Sequence, residues 1–250
     1  MGIFVVKMKF AFATLACVCL VGCQSIATQA TDTTSVSGLI TEFATLQPVE
    51  AYAGKDRIDF KKLKQQEQRP IVALVLGSGG ARGYAHIGAI QVLEANGIKP
   101  DFIVGTSAGS IVGSLYASGM NAEQLREVAL SMKPKDVREI RLDKKGVLDG
   151  KKVEDYINKQ VSNTPLELLK IPMYVVATEL QQGNKMVFNA GNTGQAVRAS
   201  VSIPSMFIPA VINQQEYVDG GLVSPVPVDV ARDLGADIII AVDILAKPVH

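Results

Sequence analysis

Histidine is scarce in this chain of 250 residues, which contains only His86 and His250 and lacks tryptophan altogether. A metal site built from several histidines is therefore excluded, and we expect neither a metal nor another cofactor. The chain also lacks a charge excess, with 25 Lys and Arg against 24 Asp and Glu. Nucleic-acid binding normally requires a basic surplus, so no nucleic-acid partner is expected. Only 20% of the residues are charged, which argues against a disordered chain.

A long apolar run is lacking as well, although a short one lies near the start. Lys7 and Lys9 precede an uncharged stretch over residues 10–22. A membrane-spanning helix needs about 20 apolar residues, so this stretch is too short to cross a bilayer. A basic flank followed by a short apolar run is typical of a secretory signal peptide, which we assign to residues 1–22.

The end of this run, Leu20-Val21-Gly22-Cys23, resembles the lipobox of bacterial lipoproteins. The resemblance implies cleavage before Cys23, lipidation of that cysteine and a membrane-anchored protein of the cell envelope. Gln24 replaces the aspartate that retains many lipoproteins at the inner membrane, which favours the outer membrane if the bacterium has two. An ordinary signal peptide with an incidental cysteine is the alternative. Since all three cysteines lie in the first 23 residues, the processed protein has no disulfide.

The pattern changes near residue 70. Residues 23–69 are interpreted as a lipidated amino terminus and tether, because residues 24–37 are rich in Ser, Thr, Gln and Ala without apolar periodicity. Residues 70–250 form the predicted domain. Its strands are continuous apolar runs, typical of a parallel sheet covered by helices, and the fold class is therefore α/β. The runs are Ile71–Leu76, Phe102–Val104, Met173–Ala177 and Ile238–Val242.

Glycines cluster in a first turn, residues 77–83, which reads GSGGARG between a strand and a helix. Such a turn points backbone N–H groups inward and forms an anion site at a helix N-terminus. Dinucleotide-binding proteins use a similar turn, but they require an acid at the end of the second strand. Asp101 precedes that strand here. A phosphate-binding P-loop also fails, because no Lys-Ser or Lys-Thr pair follows the glycines.

A second turn, Gly105-Thr106-Ser107-Ala108-Gly109, has the G-x-S-x-G pattern between a strand and a helix. This context predicts a nucleophile elbow, in which Ser107 is exposed on a strained turn and Gly105 and Gly109 prevent clashes. A purely structural glycine turn is the alternative.

A nucleophilic serine needs a base, and a histidine downstream of it would have to be His250, the last residue. A carboxylate acting directly on the hydroxyl is the remaining candidate. Asp219, in the segment Asp219-Gly220-Gly221, follows an apolar-flanked stretch and is the favoured base. Asp149 is a rival, but it precedes a helical pattern and is better explained as a helix N-cap.

These three segments, in this order, resemble the signatures of patatin-like phospholipases. The similarity extends over about residues 71–242, and Ser78 departs from it where many members have another glycine. The resemblance implies a three-layer α/β sandwich with a mainly parallel central sheet. Family domains commonly continue beyond the position of Asp243, so it stays open whether the domain is complete at His250.

The resemblance also implies a Ser107–Asp219 dyad that hydrolyses phospholipids or other acyl esters. The oxyanion hole would come from backbone N–H groups of Gly79, Gly80 and either Ala81 or Arg82. The Arg82 side chain would either orient a lipid phosphate or pair with an acid. A lipid-binding or regulatory protein with little turnover is the alternative function. The sequence does not indicate the oligomeric state, the head group or the acyl-chain preference.

Overall fold

The computed structural model of the protein describes residues 50–51 and 58–245. The strands are β1 (Glu50–Ala51), β2 (Val72–Leu76), β3 (Phe102–Thr106), β4 (Glu139–Asp143), β5 (Gly146–Asp149), β6 (Met173–Glu179), β7 (Lys185–Ala190), β8 (Ala210–Ile212), β9 (Gln215–Asp219) and β10 (Ile238–Val242). The helices are α1 (Phe60–Glu67), α2 (Tyr84–Ala95), α3 (Ala108–Ala117), α4 (Ala122–Ser131), α5 (Pro134–Val137), α6 (Lys151–Gln160), α7 (Thr193–Val201) and α8 (Val228–Asp233). Single 3-10 turns cover Gly80–Gly83, Leu166–Leu168 and Gly220–Leu222.

Parallel pairing forms the centre of the main sheet, where β10, β2, β3 and β6 lie side by side. Strands β7 and β9 pair antiparallel with β6. Strand β1 pairs antiparallel with β7, and β8 pairs antiparallel with β9. Strands β4 and β5 form a separate antiparallel hairpin. The predicted α/β fold with a mainly parallel central sheet is confirmed, and each apolar run found in the sequence lies on one of the four central strands.

Helices cover both faces of this sheet and create two apolar cores. Alternate side chains of a strand point to opposite faces, and β2 shows this plainly. Leu74 and Leu76 belong to the core beneath α2, α3, α4, α6 and α7, whereas Ala73 and Val75 belong to the core beneath α1 and α8. Since both faces are buried, β2 has no polar alternation, and this explains its continuous apolar run.

Helix α1 falls within residues 23–69, which the sequence analysis interpreted as a tether. Asp59 caps this helix by accepting a hydrogen bond of 3.0 Å from the Lys62 N–H. Its first residue, Phe60, is buried, and its ring lies 4.6 Å from that of Phe102 on β3. Part of this segment therefore contributes to the second core. The predicted signal peptide, Cys23 and His250 lie outside the described residues.

The register of β6 brings the ends of two other strands together. Thr106, the last residue of β3, pairs with Val176 of β6, and Asp219, the last residue of β9, pairs with the next residue, Ala177. Strand β7 occupies the opposite edge of β6, so β3 and β9 share one edge. Because β9 runs antiparallel to β6 and β3 runs parallel to it, the carboxyl ends of β3 and β9 face each other.

Within residues 50–51 and 58–245, none of the helices combines the length and apolar character that a bilayer span demands.

The aromatic cluster under α1 gives a test of the second core. Phe102 is fully buried, and it packs against Phe60 and, at 5.8 Å between ring centroids, against Tyr174. Replacing Phe102 with alanine should lower the free energy of unfolding by about 3–5 kcal/mol, measured by urea denaturation. Val92→Ala, at a helix position that is 62% exposed, should change it by about 0.5 kcal/mol or less. Equal small effects would show that Phe102 is not packed in this core.

Candidate active site

Ser107 lies between β3 and α3 in a conformation that side chains rarely adopt. Its φ is 52° and its ψ is −118°, outside the allowed regions for a residue with a Cβ. Such a conformation costs on the order of 1–3 kcal/mol and persists only where the surroundings enforce it. The side chain is buried, with 4% of the residue exposed. This is the sharp strand-to-helix turn that the G-x-S-x-G pattern predicts, but the expected exposure of Ser107 is wrong, because Ser200 on α7 and Asp219 at the end of β9 contact it.

Close packing around the turn requires its two glycines. A Cβ on Gly109 would lie 2.0 Å from the carbonyl oxygen of Leu76 on β2, and a Cβ on Gly105 would lie 2.6 Å from the carbonyl oxygen of Gly109. Neither backbone contact can be relieved by a side-chain rotation. The glycines therefore allow α3 to begin directly against the ends of β2 and β3, which fixes the position of Ser107.

The buried hydroxyl of Ser200, on α7, fixes the backbone of Ser107. It accepts a hydrogen bond of 2.8 Å from the Ser107 N–H and donates one of 2.5 Å to the carbonyl oxygen of Val176 on β6. On the other side, the carbonyl of Ser107 accepts from the hydroxyl of Ser110 at 2.7 Å. These bonds tie the strained residue to α7, β6 and α3. The motifs in the sequence gave no signal for this role of Ser200.

Asp219 is held in place through its backbone. Its N–H donates to the carbonyl oxygen of Ser202 at 2.9 Å, and its own carbonyl accepts from the hydroxyl of Thr178 at 2.9 Å. The carboxylate is buried, and its Oδ1 accepts a hydrogen bond of 2.6 Å from the N–H of Gly221. Only one carboxylate oxygen, Oδ2, therefore remains for another partner.

That partner is Ser107, whose Oγ donates a hydrogen bond of 2.5 Å to Oδ2 of Asp219. Burial raises the pKa of Asp219, while the hydrogen bonds from Ser107 and Gly221 oppose the rise. A carboxyl group with a raised pKa is a stronger base than an exposed one. The structure thus brings together the two residues that the sequence analysis predicted as a dyad, and it places a carboxylate of enhanced basicity on the hydroxyl.

The first glycine turn adjoins both members of this pair. A Cβ on Gly83 would lie 2.9 Å from the Cβ of Ala108, the residue after Ser107. A Cβ on Gly221 would lie 3.1 Å from the hydroxyl of Ser78 and 2.9 Å from the carboxylate of Asp219. The three glycine-containing segments predicted from the sequence therefore meet at one place.

Free backbone donors remain in this turn. In the described part of the chain, the N–H groups of Gly79, Gly80 and Ala81 form no hydrogen bond. Arg82 differs, because its N–H donates to the carbonyl oxygen of Gly79 at 3.2 Å. Of the four residues considered for an oxyanion hole, Arg82 therefore has an occupied donor, and the first three do not. Ser78 has no positive φ, which explains why a side chain is tolerated where many family members have glycine.

The histidine upstream of Ser107, His86, and the rival carboxylate, Asp149, have other contacts. His86 is fully buried and its Nε2 contacts the carbonyl oxygen of Gly77 at 2.8 Å; burial lowers its pKa despite that hydrogen bond. It therefore supports the start of the glycine turn as a neutral ring. Asp149 accepts a hydrogen bond of 2.9 Å from the N–H of Lys151 at the start of α6 and pairs with Arg198. It lies one residue before the N-cap position, which Gly150 occupies.

Across residues 50–51 and 58–245, no group of three or more His, Cys, Asp or Glu side chains is placed to hold a metal ion.

Fold and site together define an α/β protein with a serine elbow, an adjoining buried carboxylate and a turn of free N–H groups. The sequence model of patatin-like phospholipases matches residues 74–232. The chain belongs to the patatin-like phospholipase family.

Relatives with curated sequences agree with this assignment. An NTE family protein of Mycobacterium tuberculosis is 36% identical over 178 residues, which are 70% of this chain and 49% of that protein. The human patatin-like phospholipase domain-containing protein 6 is 32% identical over 195 residues, 74% of this chain and 14% of that protein. The chain thus spans about half the length of the mycobacterial relative. Among solved structures, VipD from Legionella pneumophila matches with a TM-score of 0.48 and 15% identity, over 61% of this chain and 46% of that one.

Removing the buried charge of Asp219 should have a pH-dependent effect on stability. Because the folded state raises the pKa of this carboxyl, folding favours its protonated form, and stability is lost as the pH rises through the raised pKa. Asp219→Asn has no carboxyl group to ionise, so its free energy of unfolding should be higher than that of the wild type at about pH 8. The difference should shrink towards pH 4. Urea denaturation at both pH values tests this. A difference that did not depend on pH would contradict it.

Proposed function

We propose that this protein is a serine hydrolase of lipid carboxylic esters, with Ser107 as nucleophile and Asp219 as general base. The observation that carries the proposal is the hydrogen bond of 2.5 Å between Ser107 Oγ and Asp219 Oδ2 within a buried, strained elbow. Strain of this kind at a buried polar residue is typical of functional sites. The family assignment supports the same chemistry.

In the proposed acylation step, Ser107 Oγ forms a bond to the ester carbonyl carbon while its proton passes to Asp219 Oδ2. The carbonyl π electrons move to the carbonyl oxygen and give a tetrahedral oxyanion. When the oxyanion collapses, the bond to the leaving alcohol breaks, and that alcohol takes the proton from Asp219. An acyl-enzyme remains. Water then attacks the acyl carbon and gives a proton to Asp219, which forms a second tetrahedral oxyanion. When this oxyanion collapses, the bond from the carbon to Ser107 Oγ breaks, Oγ takes the proton from Asp219, and the fatty acid is released.

The oxyanion needs preorganised donors, and the free N–H groups of Gly79, Gly80 and Ala81 are proposed to supply them. The loss of one such donor costs about a hundred- to a thousandfold in rate. Donors on the first glycine turn are needed because the N–H of Ser107 is already occupied by the hydroxyl of Ser200.

The proposed substrates are phospholipids, lysophospholipids or related acyl esters. Arg82 is exposed at the glycine turn, and within the described residues its guanidinium has no acidic partner. Of the two roles considered for this side chain, contact with a lipid phosphate is therefore favoured over an internal ion pair. Guanidinium groups bind phosphates through two parallel hydrogen bonds.

A lipid-binding or regulatory protein with little turnover is the second candidate. A binding function is compatible with the same fold, but it does not require an activated serine. The short contact between Ser107 and Asp219 favours the enzyme, and covalent labelling of Ser107 separates the two functions.

The first test is labelling of the purified protein with a fluorophosphonate probe and measurement of ester hydrolysis. Ser107→Ala should abolish labelling, and Ser107→Ala and Asp219→Ala should each lower kcat by about 10⁴-fold or more, because the members of such a unit act together. Ser114→Ala is the matched control: this buried hydroxyl lies on the same helix α3 and has no partner in the described structure. It should leave labelling intact. A folded wild-type protein that is not labelled would favour the binding function.

We also propose that the protein is anchored in the cell envelope through lipidated Cys23. Support comes from the lipobox-like sequence Leu20-Val21-Gly22-Cys23 after a basic flank and a short apolar run. Anchoring would then depend on acyl chains, and stable attachment needs more than one chain. Such an anchor would hold the Ser107 site near its proposed lipid substrates, in the outer membrane if the bacterium has two membranes.

Replacing the acylated residue tests the anchor. In a bacterial host that processes lipoproteins, Cys23→Ala should move the protein from the membrane to the soluble fraction and abolish incorporation of labelled palmitate. Cys19→Ala, in the same segment, should change neither result. Membrane attachment and palmitate incorporation that persist in Cys23→Ala would refute this site of lipidation.

A further inference from the structure

An apolar pocket of about 130 Å³ lies between helices α2, α3 and α4. Apart from Tyr84 and Tyr156, its side chains carry no polar groups. Its walls include Ile87, Ile111, Leu115, Leu125, Val128 and Met132. A pocket of this composition binds hydrocarbon rather than water, because a water molecule inside it would find few hydrogen-bond partners.

The pocket borders the first glycine turn and the start of the helix that follows Ser107. Gly80, Ala81 and Gly83 of the glycine turn line it, and so does Ala108, the residue that follows the nucleophile. Gly83 and Ala108 pack against each other, so the glycine turn and the start of α3 form adjacent sides of the pocket. A carbonyl carbon bonded to Ser107, with its oxygen on the N–H groups of Gly80 and Ala81, would therefore lie next to an apolar space.

We infer that this pocket receives the acyl chain of the substrate ester and that its volume limits the favoured chain to about six carbons. The inference rests on the proposed function of Ser107 and Asp219 and adds the part of the substrate that is selected. An apolar cavity of about 150 Å³ takes up benzene, which has six carbons. A space of about 130 Å³ accommodates a chain of similar size, and carbons beyond it remain outside the pocket.

Burial of each methylene group favours binding by about fourfold. Because the acyl chain must also occupy the pocket in the transition state, kcat/KM should rise with chain length as long as new carbons are buried. The rise should stop where the pocket is full. Chain-length preference thus reports the size of the occupied space.

Two neighbouring residues of α4 provide a matched pair of variants. Ala129 lines the pocket, whereas Leu130 is 73% exposed and does not line it. Ala129→Phe introduces a ring into the pocket without removing a side chain from the core. Leu130→Phe introduces the same ring on the same helix, facing solvent.

The experiment measures kcat/KM of the full chain with p-nitrophenyl esters from acetate to dodecanoate. In the wild type, kcat/KM should rise to about hexanoate, at roughly fourfold per methylene, and rise no further. Ala129→Phe should lower the ratio of kcat/KM on hexanoate to kcat/KM on acetate by about tenfold or more. Leu130→Phe should keep the wild-type profile. Ala129→Leu should give an intermediate profile and decides the question if the phenylalanine variant does not fold.

Two results would overturn the inference while leaving the proposed function intact. One is a wild-type kcat/KM that continues to rise up to dodecanoate. The other is an Ala129→Phe or Ala129→Leu variant that hydrolyses all the esters with the wild-type profile. If the folded wild type neither hydrolyses any ester nor is labelled by a fluorophosphonate, the proposed function fails, and the acyl pocket fails with it.

Discussion

The meeting of Ser107 and Asp219 depends on strand β6, which pairs along one edge with two strands that approach each other end to end. Ser107 follows Thr106, the last residue of β3, which pairs with Val176 of β6. Asp219, the last residue of β9, pairs with the next residue of β6, Ala177. Since both ends are fixed by backbone pairing, the distance between the two side chains does not depend on a flexible loop. Reaction groups that must be held within about half an ångström benefit from rigid elements of this kind.

The same geometry requires the backbone to turn sharply at Ser107, and the surroundings supply the forces that hold the turn. Gly109 lets α3 approach Leu76, and the hydroxyl of Ser200 links the strained N–H to the carbonyl of Val176. These contacts come from several elements of the fold. The strained conformation of Ser107 is therefore held by α7, β6 and β2, and a change in any of them would alter it.

Much of this arrangement could be predicted from the sequence, because the glycine patterns and the apolar runs are local signals. The elbow at Ser107, the turn over residues 77–83 and the four parallel strands all left such signals. The roles of Ser200, Thr178 and Ser202 could not be predicted, because their partners lie on elements remote in sequence. The antiparallel strands were missed for a related reason: β8 is short, and β7 and β9 are only partly buried.

Burial favours both the general base and the oxyanion hole of the proposed reaction. The low-dielectric surroundings that raise the pKa of Asp219 also strengthen the hydrogen bonds that the N–H groups of Gly79, Gly80 and Ala81 can give to an oxyanion. A histidine is usually needed because an exposed carboxylate is too weak a base for a serine hydroxyl. Here His86 is engaged with Gly77 as a neutral ring, and a buried carboxylate is proposed as the base instead. The apolar pocket along α3 borders the same glycine turn. A bound acyl chain would therefore displace water from this region and raise the pKa of Asp219 further.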